Sequence, residues 1–179
     1  MIVHTRTPTV RKAREGVRVY VLYDEIGSYN LPKAYRREIV EAGGVILPFR
    51  TSKGLRNRFQ INFRNHRKIL IADGRVAFVG GLNFGDEYLG RNAVMGQWRD
   101  THLRAGGPVV QAIQLAFVED WFWAARAVPE LNWSPKEAPE GRLRVLALPT
   151  GPADLRDSCE LFILEALRTA RRRVWIASP

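Results

Sequence analysis

His66-Arg67-Lys68-Ile69-Leu70-Ile71-Ala72-Asp73, followed by Gly80-Gly81-Leu82-Asn83, decides how this chain is read. Lys68 to Ala72 is a short apolar run that reads as a buried strand. Asp73-Gly74 reads as a hairpin turn, and Arg75 to Val79 as the returning strand. Residues two apart on a strand share a face, so His66 and Lys68 project together into one pocket. Asn83 follows the return strand, where Gly80 and Gly81 let the backbone approach a ligand closely.

This set suits attack on a phosphodiester. The His66 imidazole is a candidate nucleophile, forming a covalent phospho-histidine and dividing one hard step into two easier ones. Lys68 offers a compact positive charge to the non-bridging oxygens. The Asn83 amide and the backbone at Gly81 complete a phosphate site. Donors placed in advance stabilise the charge of a pentacovalent transition state. No metal or cofactor is required, and Cys159, His4, His66 and His102 suggest no metal set. Asp73 has two readings: a member of the chemical set, or a turn carboxylate that satisfies local N–H groups. Trp98 to His102 reads as a further strand carrying Asp100 and His102 on one face. Asp100 is the candidate acceptor that orients the His66 ring; the competing reading is a surface ion pair. His102 reads as structural.

The pattern H-x-K-x4-D-x6-G-[GS]-x-N resembles the signature of the phospholipase D superfamily. More specifically, Asn62-Phe63-Arg64-Asn65-His66-Arg67-Lys68, Gly80 to Gly90 and Trp98 to His102 resemble bacterial cardiolipin synthases. So do Gly107-Pro108 before a helix with Glu119-Asp120-Trp121, and Gly16 to Val19 before Tyr23-Asp24. The resemblance runs from about Val10 to Pro179. It implies an α/β fold, a phospholipase D-like mixed sheet flanked by helices. It also implies a transferase of phospholipid metabolism that joins two phosphatidylglycerols into cardiolipin plus glycerol. In that scheme His66 carries the phosphatidyl group, Lys68 and Asn83 grip phosphate, Asp73 completes the motif and Asp100 orients the histidine. Such enzymes use two motifs for one site, and this chain holds one. The expected partners are therefore phosphatidylglycerol in an anionic membrane and a second phospholipase D-like half or a second copy. The rivals are a single-motif nuclease acting as a dimer and an anionic-lipid-binding fragment without turnover.

The 179 residues suffice for one sizeable core, and 46% of them are hydrophobic. The net charge of +10 favours anionic partners, since each basic residue near an anionic bilayer contributes about 1 kcal/mol. DNA fits that charge as well, though the runs above favour lipid. No apolar run is long enough to span a bilayer, and no signal peptide is evident, so a peripheral place on the cytoplasmic membrane face is expected.

The organisation expected is a catalytic half over residues 1–128 with an apparently truncated start, a linker over 129–142 rich in proline, and the opening of a second half over 143–179. Within it, Met1 to Gly16 reads as frayed apart from a turn at Val10 to Arg14. Strands are expected at Val17–Tyr23, Val45–Phe49 and Leu143–Leu148, and helices at Leu31–Ala42, Pro108–Val128 and Ala153–Arg172. Arg50 to Arg64 reads either as an electrostatic funnel for phosphate or as a solvated basic loop.

Overall fold

The apolar spacing of Leu31 to Ala42 is realised as a helix that ends where glycine permits a reversed φ. The computed structural model describes residues 3–50, 64–83, 88, 90, 96–138, 141, 143–151 and 154–176, with the side chains of 3–7 excepted. Four helices and five strands are seen in them: α1 (Val3–Arg14), β1 (Tyr20–Asp24), α2 (Lys33–Glu41), β2 (Val45–Phe49), β3 (Ile69–Ala72), β4 (Val76–Gly80), β5 (His102–Gly106), α3 (Val109–Ala125) and α4 (Ser158–Thr169). At the end of α2, Gly43 has φ +88°, and Gly43 and Gly44 donate to the carbonyls of Val40 and Ile39, a Schellman closure. The chain then enters β2 parallel to β1, with Tyr20 beside Val45 and Asp24 beside Phe49.

β3, β4 and β5 form an antiparallel sheet in which Ile69 pairs with Val79 and Gly80 with His102. Asp73 (φ 55°) and Gly74 (φ 64°) form its first turn, as the two positive φ values of a type I′ hairpin require. The α/β class therefore holds. The strands described lie in two small sheets rather than in one mixed sheet. α3 joins them, lying against β2 and against all three strands of the second sheet.

The core follows from these contacts. Val10 of α1 packs with Tyr35 and Ile39 of α2, and Val21 and Ile46 lie against that cluster. This packing makes α1 a twelve-residue helix where the sequence suggested a single turn, despite Pro8 inside it. On α3, Val110 is fully buried and Trp121 meets Tyr20 edge-on at 5.3 Å. Phe122 faces outward, so the aromatic run divides between core and surface.

Three other expectations change. β5 begins only at His102: the Asp100 carboxylate accepts from the Thr101 N–H at 2.7 Å, a local bond that replaces a ladder bond at Trp98 to Thr101. Leu143–Leu148 forms no strand, because no described strand lies alongside it to pair its backbone. The last helix begins at Ser158 and ends at Thr169, where Ala170 turns extended, so Arg171 to Arg173 lie beyond it. Within residues 129–142, Pro129 is buried and Asn132 donates to the Asp73 carbonyl at 2.8 Å. Most of the basic loop (51–63), together with Phe84 to Glu87, Leu89, Pro139, Arg142, Pro152 and Ala153, lies outside the described residues.

Candidate active site

Residues 64–68 lead into β3 without belonging to any strand or helix. Their side chains differ in their partners. Asn65 and Arg67 turn toward α3: the Asn65 amide donates to Asp120 Oδ2 at 2.8 Å, and Arg67 Nη1 donates to Asp120 Oδ1. Among the described residues, His66 and Lys68 make no hydrogen bond or ion pair with Asp120. His66 is exposed and Lys68 half-buried, with Lys68 Nζ donating to the His66 carbonyl at 2.7 Å.

The strand is held at its other flank by Asp24, the last residue of β1. Its carboxylate accepts from Arg64 Nη2 at 3.1 Å, from the Asn65 N–H at 3.1 Å and from the Gly27 N–H at 2.5 Å. The Asp24 and Asp120 side chains are only 11% and 13% exposed, so both ion pairs are shielded from water. The two described arginines of the supposed funnel are thus engaged elsewhere, Arg64 with Asp24 and Arg50 with Glu25.

Asp100 stands across the double glycine. Its carboxylate accepts from Trp98 Nε1 at 3.2 Å and Thr101 N–H at 2.7 Å, and from the Gly81 N–H. A methyl group on Gly81 would sit 2.7 Å from Asp100 Oδ1, and one on Gly80 would strike the His102 ring. The two glycines therefore make room for Asp100 and His102, residues of this chain, where the sequence suggested room for a ligand.

Asn83 donates to the Tyr88 hydroxyl, and Tyr88 meets Trp98 edge-on with centroids 5.0 Å apart. An aromatic pair thus joins Asn83 to Asp100. Among the described residues no hydrogen bond reaches the His66 ring, so Asp100 does not orient it here. Asp73 is at the far end of β3, about 16 Å from Lys68 at ~3.3 Å per residue. Its backbone carbonyl is held by Asn132, and Gln111 of α3 donates to the Gly74 carbonyl at 2.7 Å.

The charges give the site its character. Burial pushes the Lys68 ammonium below the ordinary lysine value; the Asp24 and Asp100 charges oppose this and Arg64 reinforces it. The Trp98 indole bond holds the Asp100 carboxyl below the usual range. The Thr101 and Gly81 N–H groups and the His102 charge assist, outweighing partial desolvation. The result is an exposed His66 near a half-buried Lys68 ammonium whose charge is balanced by Asp24 and Asp100. The structure brings His66 and Lys68 together, sets Asp100 and Gly81 in contact, and leaves Asp73 apart. Asp24, Asn65, Arg67, Asp120, Tyr88 and Trp98 were not singled out as functional from the sequence. The signal available for two of them was position: Asn65 and Arg67 alternate with His66 and Lys68.

Over 170 residues, 95% of its length, the chain is 51% identical to cardiolipin synthase A of Pseudomonas putida and equally so to that of Pseudomonas entomophila. It is 51% identical over 168 residues to cardiolipin synthase A of Pseudomonas fluorescens. The chain spans about a third (35%) of the length of these relatives. No family model matches it. No solved structure matches it.

Proposed function

We propose that this chain supplies one catalytic half of a cardiolipin synthase-type phosphatidyltransferase, acting on phosphatidylglycerol at an anionic membrane surface. One observation carries the reading: Asn65 and Arg67 are tied to Asp120, while the exposed His66 between them accepts from Lys68 Nζ at its carbonyl, which keeps the two residues together. The named relatives support it. Among the described residues no helix is long and apolar enough to cross a membrane, which is compatible with binding from one side.

In this reading a His66 ring nitrogen attacks the phosphorus of phosphatidylglycerol. The bond to the glycerol headgroup breaks, and glycerol leaves with a proton supplied by a second histidine, from the other half or from a second copy. A hydroxyl of another phosphatidylglycerol then attacks phosphatidyl-His66, giving cardiolipin and returning the imidazole. Lys68 and Asn83 hold the non-bridging oxygens, while the backbone at Gly81, expected from the sequence to help, is taken up by Asp100. Asp100 places a negative charge opposite Lys68. The fold in which this occurs is phospholipase D-like, with residues 129–142 linking residues 1–128 to the opening of the second half at 143–179.

The test is incubation of the chain with labelled phosphatidylglycerol vesicles beside His66→Ala. Cardiolipin or phosphatidic acid from the unmutated chain alone is the expected result. Product from both proteins, or from neither even when a second half is added, would refute it.

A further inference from the structure

We infer that Asp120 of α3 is a positioning residue for His66. The inference rests on the reading of His66 as the nucleophile. Paired strands fix the twist of their side chains through ladder bonds, but β3 begins only at Ile69, three residues after His66. Something other than a ladder has to set the direction in which the imidazole points.

The Asp120 carboxylate does so by using both oxygens on the residues that flank His66. Oδ2 accepts from the Asn65 amide and Oδ1 from the Arg67 guanidinium. Asn65 closes the bracket, since its Oδ1 accepts from the Arg67 N–H at 2.9 Å while its own N–H donates to Asp24. Residues 65 and 67 are thereby fixed at backbone and side chain, and the residue between them is left one face to occupy. The same guanidinium reaches the Thr150 carbonyl through Nη2 at 3.1 Å, so Asp120 also seats the chain beyond the linker against the motif.

A carboxylate is needed because both partners are donors. An ionised Asp only accepts, whereas an asparagine would turn an NH2 group toward Arg67 or toward the Asn65 amide. Both groups are largely shielded, so that mismatch would not be relieved by water.

The experiment labels the histidines of the full chain with 15N and follows His66 by NMR through a pH titration. His102, which touches none of these residues, serves as the internal reference. Asp120→Asn is expected to move the His66 ring signals and leave those of His102 in place. Arg67→Lys, which keeps the charge but not the planar fork, is expected to do the same to a smaller extent, and it decides the matter if Asp120→Asn does not fold. Unchanged His66 signals in a folded variant would overturn the inference. Where labelled phosphatidylglycerol yields trapped phospho-His66, the amount is expected to fall about 100-fold in Asp120→Asn, since misplacement by about 1 Å costs that much. The ring signals do not depend on turnover: a His66 shift in a chain that never takes up lipid keeps the positioning role and refutes the proposed activity instead.

Discussion

The Asp100 carboxylate lies against the backbone of Gly81 so closely that a single methyl group added to that glycine would meet both of its oxygens, at 2.7 and 2.8 Å. The requirement for glycine here is one of space, since the neighbouring oxygens belong to a residue held by three donors. Gly81→Ala should therefore displace Asp100, free the Trp98 indole, and lower turnover of phosphatidylglycerol about tenfold or more, with a stability loss of roughly 1–3 kcal/mol. Product analysis beside urea denaturation checks both.

Asp24→Asn should loosen the motif strand. It removes the charge opposite Arg64 and weakens the bond to the Asn65 N–H, in surroundings where Asp24 is only 11% exposed. Hydrogen bonds to a charged group contribute about 1.5–3 kcal/mol, and a loss of that order is expected in denaturant unfolding. An unchanged midpoint would mean that Arg64 finds another acceptor.

Asp73 should prove dispensable for chemistry. Its φ of 55° favours Gly, Asn or Asp, and its backbone carbonyl, not its carboxylate, anchors Asn132. Asp73→Asn should leave turnover and stability nearly unchanged, while Asp73→Ala should cost about 1 kcal/mol through the left-handed backbone alone. A large loss of turnover with Asp73→Asn would restore a chemical role.

The affinity for short-chain phosphatidylglycerol should fall as pH rises through the Lys68 value, beginning below the ordinary lysine figure of 10.5. Lys68→Arg, charged throughout, should flatten that fall. The stability effect has the opposite sign. A lysine whose folded value is lowered is charged in both states at low pH, so the burial penalty is then present in full. Stability grows as pH rises from the folded value toward the unfolded one. Titration of both quantities on one sample checks the pair.

Much of this architecture was legible because the periods are local. The apolar run Ile69 to Ala72, the turn at Asp73-Gly74 and the glycine stop after α2 each depend on neighbours in sequence, and the structure realises all three as elements, although the run is half exposed where a buried strand was expected. His66 and Lys68, expected to share a strand face, instead precede β3 and are linked through the His66 carbonyl. What escaped was tertiary. Nothing in the sequence around Asp120 announces that it meets residues 65 and 67, and an Asp between Glu119 and Trp121 reads as a helix-surface charge. The strand expected at Trp98 failed for a physical reason of the same kind, since Asp100 bonds to its own neighbour instead of leaving the backbone free to pair. Leu143 to Leu148 is an apolar, strand-like run, but composition alone supplies no neighbour.

The contacts of the linker have one more consequence. The chain after α3 touches the motif hairpin twice, with Asn132 at the Asp73 turn and with Thr150 at Arg67. Asn132 and Thr150 therefore fix the two ends of the chain that runs between them. The entropy of bringing distant chain ends together is largely met before anything beyond Thr150 docks, and that entropy grows only slowly with loop length. Whatever polypeptide follows is delivered to the His66 strand at the high local concentration of a short leash, and would outcompete the same segment supplied in trans from dilute solution.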